Sequence, residues 1–339
     1  MIIFLSIFIL FNQVEVSGYV ETRPYIAWGD SLNFSGYNRG WLEFKYNGPK
    51  YGTQIAFDCL VPYDTLSFAS LVENINISRL AIWLGPENFR ITAGKQRLYW
   101  GVGRVFRPLD VFNPTNFFEP GYERPGSNAI LGYYSIGNLS SIRTICLPEL
   151  NFKKSFYGIR FGTNLVRNDI GINFMHRSLN RRTIVGAEIT GDIVVGYWTE
   201  LSYNWEDTIN YAKASVGIDY TFPWLIYTMA EFFYDGSGVT NPQNYDNSKI
   251  LAGERITLAQ KYLYLTIGSI PNPFLRPSLN SIINLDDKGL ILIPQLQYSI
   301  YENTELTMGL NFFLGANDSE FKNISPYDGQ VYVWAKVYF

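Results

Sequence analysis

Charge is scarce in this chain of 339 residues: Asp, Glu, Lys and Arg together make up 17%, against roughly 25% in ordinary globular proteins. A soluble domain keeps its surface wet with such residues, so the shortage argues against one. Histidine is nearly missing as well, and with His176 alone no site built from a histidine pair is available. The two cysteines, Cys59 and Cys146, form no C-x-x-C and no metal-ligand spacing. Both fall inside candidate strands far apart in the chain and read as unpaired small apolar groups, with a single bridge as the alternative. No metal and no cofactor is expected. Long apolar runs are also absent, since the only one, Ile2 to Phe11, is half the roughly 20 residues a spanning helix needs. No linker, low-complexity tract or block of like charge marks a domain boundary. The formal net charge of −3 is too balanced for a nucleic-acid partner.

Aromatic residues are what the chain has in excess, 17% of the total. Mean hydropathy is nevertheless near zero, because 29 glycines and many Asn, Ser and Thr offset the apolar content. A polytopic helical membrane protein would read far more apolar. The run Ile2 to Phe11 fits the apolar core of a signal peptide, with Val16 and Gly18 as the small residues before a cleavage after Gly18. No Lys or Arg precedes it, so the terminal amine is its only positive charge. The expected organisation is a signal peptide over 1–18 and one domain over 19–339.

Periodicity then decides the class. Successive side chains of a strand face opposite sides, so a membrane barrel alternates lipid-facing apolar residues with lumen-facing polar ones. At the carboxyl terminus Val331, Val333, Ala335, Val337 and Phe339 share one face, and Gln330, Tyr332, Trp334, Lys336 and Tyr338 the other. The same pattern sets Leu42, Phe44 and Tyr46 against Arg39, Glu43 and Lys45, and Ala212, Ala214, Val216 and Ile218 against Lys213, Ser215 and Asp219. It recurs where Leu306, Met308, Leu310, Phe312 and Leu314 oppose Glu305, Thr307, Gly309 and Asn311. Each time the charges keep to one face. A Lys or Arg turned to lipid at mid-membrane would cost about 2 to 4 kcal/mol, so a wet lumen explains the segregation. Arg39, Glu43, Lys45, Lys213, Asp219 and Lys336 are therefore expected to face the lumen.

Eighteen segments carry strand patterns, each followed by a turn signal, which predicts an all-β, antiparallel, up-and-down transmembrane barrel. Sixteen is the alternative, because Pro271, Pro273 and Pro277 blur one region. An even count leaves both termini on the periplasmic side, where every second connection should be tight. The short connections around 47–50, 85–88, 137–138, 191–192, 222–223 and 301–303 fall on that side. The long ones, around 61–73, 98–127, 235–257 and 315–327, fall on the other. Apart from the leader, no stretch shows apolar helical periodicity.

The third external connection reads GKQRLYWGVGRVFRPLDVFNPTNFFEPGYERPG from Gly94 to Gly126. Its Gly, Pro and Asn-Pro steps break strand continuation. Arg97, Arg104, Arg107 and Arg124 lie among Asp110, Glu119 and Glu123, interleaved with Trp100, Phe106, Phe112, Phe117, Phe118 and Tyr122. So aromatic a tip can fold into the barrel. Arg97, Trp100, Arg104, Arg107, Asp110, Glu119 and Arg124 are then the candidate pore constriction, with at most a mild anion preference. Gly101-Val102-Gly103 lacks the third glycine of a dinucleotide fingerprint and serves as loop flexibility.

Two resemblances follow from these residues. A terminal strand ending in Phe339, with apolar residues at every second position, resembles the closing strand of outer-membrane barrels. That implies the outer membrane as location, its lipid as a partner, and the barrel-assembly machinery as reader of that strand. Gly94-Lys95-Gln96, Trp100-Gly101 and Pro108-x-Asp110-x-x-Asn113-Pro114 resemble a pattern of porin-like and polysaccharide-export barrels, including relatives of the alginate exporters. This implies a passive channel for small polar solutes such as sugars or anions, with barrels free to associate. Two alternatives stand beside it: a plugged structural or surface-binding barrel, and a barrel hydrolase built on His176 and Ser178. The second lacks a recognisable acidic partner for the histidine, so the protein is read as a non-enzyme.

Overall fold

Strands that alternate so regularly have no backbone partner within themselves, and each must find its N–H and C=O partners sideways. In the computed structural model they do so in one closed sheet of eighteen strands, each paired antiparallel with its neighbours in sequence, the first also with the last. The structure describes residues 14–65, 67–112, 126–251, 255–269, 274–325 and 327–339. The first six strands are β1 (Val14–Trp28), β2 (Leu32–Asn47), β3 (Tyr51–Pro62), β4 (Ile75–Leu84), β5 (Phe89–Gln96) and β6 (Ser127–Ile136). The next six are β7 (Ser140–Leu147), β8 (Phe156–Leu165), β9 (Asn168–Arg177), β10 (Arg182–Asp192), β11 (Gly196–Trp205) and β12 (Asn210–Thr221). The last six are β13 (Ile226–Asp235), β14 (Lys261–Ser269), β15 (Leu275–Asn284), β16 (Leu290–Tyr301), β17 (Thr304–Leu314) and β18 (Gly329–Tyr338).

All eighteen expected strands are present, which removes the sixteen-strand alternative. Pro277 sits inside β15 opposite Leu296 of β16, while Pro271 and Pro273 lie outside the described residues. The expected leader falls mostly outside them too. Its last five residues, Val14 to Gly18, pair with Tyr46 to Leu42 of β2. Gly18 and Phe339 exchange two backbone hydrogen bonds, at 2.9 and 3.0 Å, so the last residue is tied into the closing seam.

Two local expectations shift. The connection placed at Gly191-Asp192 forms at 193–195 instead, because Gly191 and Asp192 remain in the ladder opposite Tyr197 and Gly196. Short helices also occur in the connections: α1 (Phe68–Glu73), α2 (Ser248–Leu251) and α3 (Glu320–Ile324). They are too short to show a helical period. α1 is set by a capping box in which Ser67 and Ser70 satisfy each other's backbone N–H. Cys59 and Cys146 are both free thiols.

Opposed residues of an antiparallel pair point to the same face. On one face Ile172, Phe174, Val216, Ile218, Met308 and Val333 are exposed and turned outward. On the other Glu21, Arg39, Asn173, Glu188, Glu200 and Glu231 are buried. No described helix is long and apolar enough to cross a membrane.

Candidate functional site

The connection between β5 and β6 follows the inner wall over its described part, 97–112. Leu98, Trp100, Leu109 and Phe112 pack with Ala129 of β6, Ile145 of β7, Phe156 of β8, Met175 of β9 and Ile184 of β10. Further on, Phe106 stacks on Phe233 of β13 with ring centres 4.7 Å apart, and packs with Tyr262 of β14. The segment therefore spans one side of the interior, from β6 to β14. Gly186 of β10 is required by this approach, since a Cβ there would stand 2.3 Å from Leu109 Cδ2.

A loop in that position has buried N–H groups with no ladder to join, and each needs an acceptor. Two carboxylates supply them. Glu200 of β11 accepts from Val102 N–H at 2.8 Å, Gly103 N–H at 3.0 Å and Leu109 N–H. Glu231 of β13 accepts from Arg104 N–H at 3.0 Å, Val105 N–H at 3.2 Å and Phe106 N–H at 2.6 Å. Gly101 adopts φ +87°, and a Cβ on it would meet Glu200 Oε2 at 2.5 Å, so glycine is needed for both backbone conformation and clearance.

Holding the backbone this way decides where the loop's side chains go. Arg104 is exposed, with Cζ 5.2 Å from the ring of Trp198, whose Nε1–H donates to Glu231 at 2.9 Å. No carboxylate among the described residues pairs with Arg104. Arg107 is turned back on its own loop, donating to Gly103 O at 2.7 Å and lying 3.9 Å from Asp110. Arg97 lies over the Tyr99 ring at 4.5 Å, and Trp100 is buried against Phe112. Glu119 and Arg124 lie outside the described residues, as do Phe117, Phe118, Tyr122 and Glu123.

The six wall residues named from alternation all sit on the inner face. Arg39 donates twice to Asp58, at 2.7 and 3.0 Å. Glu43 accepts from Gln54 at 2.8 Å and lies 3.4 Å from Arg79. Lys45 stands opposite Gln54, Lys213 pairs with Asp235 at 3.0 Å, and Asp219 accepts from Tyr227 at 3.1 Å. Lys336 lies 3.7 Å from Glu21 and 3.5 Å from the centre of the Tyr19 ring. Alternation did not single out the two carboxylates that hold the loop. Their partners lie 91 to 127 positions away in sequence, so an inward-facing glutamate was their only signal. It likewise missed a basic row across four strands, in which Arg90, Tyr133, Arg143 and Arg160 are successive register partners.

At the end of the barrel bearing the long loops, α3 closes over the β13–β17 sector. Glu320 is buried there, accepting from Leu258 N–H at 2.9 Å, Asn284 Nδ2 at 2.7 Å and the Tyr262 hydroxyl. Burial pushes its carboxyl up to about 7, against the lowering effect of the Tyr262 and Leu258 bonds, and nearby Asp287 adds to the rise. Tyr245 and Asp286 complete the local titratable groups; Lys261 pairs with Asp286, and Lys322 with Asp328. A raised carboxyl stabilises the folded loops most when protonated, below its unfolded value near 4.5, and that contribution is lost as pH rises through about 7. Limited proteolysis of these loops should accelerate as pH rises from about 5 to about 8. Glu320→Gln should flatten the profile, and a profile unchanged by that substitution would contradict the assignment.

No family model matches the chain, and no curated protein is similar enough in sequence to match. Solved structures do match. Pseudomonas aeruginosa OccK9 (OpdG) superposes with a TM-score of 0.67 at 8% identity, over 97% of this chain and 99% of that one. Pseudomonas aeruginosa OccK3 (OpdO) gives 0.66 at 9% identity, over 99% and 98%. Salmonella typhi OmpF, solved with daunomycin, gives 0.54 at 9% identity, over 96% and 97%. At these identities the likeness establishes the fold, a closed porin-type barrel, and nothing finer.

Proposed function

We propose that this protein is an outer-membrane channel for the passive passage of small polar solutes, narrowed by the segment 97–112. The observation that carries the reading is the double clamp of Glu200 and Glu231 on six loop amides, which leaves Arg104 exposed above Trp198. An ion in a narrow passage loses part of its hydration shell, so one fixed charge there weighs heavily on which ions enter. Likeness to the OccK and OmpF barrels supports the same reading, as does an outward apolar face suited to lipid. On this reading the end bearing both termini is periplasmic. With residues 1–18 as the signal peptide, the mature barrel begins at Tyr19, and the Val14–Gly18 end of the β1 ladder with its bonds to Phe339 belongs to the precursor alone. The strand ending at Phe339 addresses the chain to the barrel-assembly machinery.

Passage of this kind needs neither cofactor nor catalysis. His176 faces outward, its Nδ1 3.0 Å from Thr183 Oγ1 and its Nε2 3.5 Å from Ser178 Oγ, and no described carboxylate orients it. A plugged barrel is the second reading, favoured by the dense burial of Glu21, Arg23, Arg39 and Tyr332 along one wall. Planar-bilayer recording separates the two, because a plugged barrel gives no discrete conductance steps. In a salt gradient the wild type should show a mild anion preference, which Arg104→Glu should turn into a cation preference. A reversal potential that does not move on that substitution removes Arg104 from the constriction.

A further inference from the structure

Tight turns of barrels usually carry Gly, Asn and Asp, which suit positive φ and face water. The turns at the terminus-bearing end follow that rule on one side only. Between β2 and β3 the connection is Gly48-Pro49-Lys50, and between β4 and β5 it is Gly85-Pro86-Glu87-Asn88. Along the neighbouring arc, from β6 to β13, each of four consecutive turns exposes large apolar side chains, beside Gly137-Asn138 in the first and Arg167 in the second. Leu139 is 63% exposed, Val166 91%, Ile193 and Val194 74% each, Trp224 79% and Leu225 52%.

The apolar choice is made against local preference. Val166 and Arg167 adopt φ of 49° and 66°, the two left-handed positions that Asn-Gly ordinarily fills, and a β-branched residue is among the least suited to them. Leu225 also has positive φ, at 59°. A turn shaped only for chain reversal would carry glycine here, so some other interaction must favour the side chains.

Their surroundings indicate which one. The outward face of β8, with Tyr157, Ile159 and Phe161 exposed, continues through Leu165 into Val166. On β12 the outward series Val216 and Ile218 leads to Phe222 and on to Trp224. Beyond the β10–β11 turn, whose Val195 lines it, the outer wall over β12 to β15 has a groove of about 420 Å³, floored by Thr228, Ala230 and Ser281 between Ile218 and Leu265. Apolar tips continuous with a lipid-facing wall, next to an outward-opening groove of this size, match acyl chains and their headgroup boundary rather than water.

From this we infer that the arc of turns from β6 to β13 is seated in the periplasmic leaflet of the membrane, with an acyl chain in the adjoining groove, while the β2–β5 turns stand in water. The barrel is thus anchored lower on one side than on the other. This rests on the membrane-spanning reading given above, and the test separates the two.

In a background with Cys59 and Cys146 replaced by serine, single cysteines are introduced and labelled with the environment-sensitive fluorophore NBD. Val194→Cys and Leu139→Cys report the arc, Lys50→Cys the opposite turn, and Ile172→Cys the middle of the outer wall. The barrels are reconstituted in phosphatidylcholine vesicles with and without doxyl-labelled lipid. The arc probes should emit to the blue like the Ile172 probe and be quenched by the lipid-borne doxyl group, whereas the Lys50 probe should be quenched by aqueous iodide. Arc probes that answer to iodide and not to doxyl lipid overturn the inference and leave the turns for a periplasmic protein or a second copy. If the Ile172 probe also answers only to iodide, the membrane-spanning reading itself fails.

Discussion

Replacing Glu200 and Glu231 together by glutamine should raise single-channel conductance and make the open level noisy, without unfolding the barrel. Each carboxylate accepts three backbone N–H groups with its two oxygens. Glutamine keeps the shape but replaces one acceptor oxygen with an NH₂ group, which then faces loop donors. A buried donor left without a partner costs roughly 1 to 3 kcal/mol, so losing several across the two clamps should loosen a segment then held by the apolar contacts of Leu98, Phe106, Leu109 and Phe112. Trp198, which donates to Glu231, should loosen as well and take the platform beneath Arg104 with it. The strand ladder does not pass through these bonds, so the gel-shift temperature at which the folded barrel opens should stay near that of the wild type. Conductance equal to that of the wild type, with the barrel intact, would show that 97–112 does not define the passage.

Lys336→Glu should have the opposite character, impairing closure of the barrel itself. Glu305 of β17, Lys336 of β18, Glu21 of β1 and Arg39 of β2 are successive register partners on the inner face, so charge alternates along the row that crosses the seam. Glu21 is nearly inaccessible and is also held by Arg23 at 3.1 Å. A carboxylate at 336 would lie between Glu305 and Glu21 with no cation between them. Breaking a buried ionic arrangement costs about 3 to 5 kcal/mol, and this one lies across the β1–β18 seam. The measurement is the fraction of heat-modifiable barrel in refolding assays. Adding Glu21→Gln and Glu305→Gln should recover much of the loss, while Lys336→Arg should be tolerated. Normal closure of the Lys336→Glu variant would mean that backbone pairing alone fixes the register there.

The wall residues and the loop differ in how far the sequence could define them. Lys336, Arg39 and Lys213 were legible as inward-facing, because a two-residue period fixes the side of every residue once one is known. The pairing of Lys336 with Glu21 was not, since it joins residues from opposite ends of the chain and depends on closure. Arg97, Arg104, Arg107 and Arg124 looked equivalent in the loop, yet the structure distinguishes the three it describes. Arg107 bonds its own backbone, Arg97 lies over Tyr99, and Arg104 stands exposed. The difference arises from which amides Glu200 and Glu231 hold, and those glutamates lie in strands about a hundred residues further on.

What could be read along the chain was the alternation of faces, the segregation of tight turns from long loops and a count of eighteen strands with sixteen beside it. These are local quantities, set by a repeat of two and by turn residues, and they survive without knowledge of distant contacts. Tertiary structure decided which carboxylates clamp the loop, which arginine is left exposed and how charge alternates across the seam. A closed sheet brings far-separated positions into one row, and no local pattern encodes which residues will meet there.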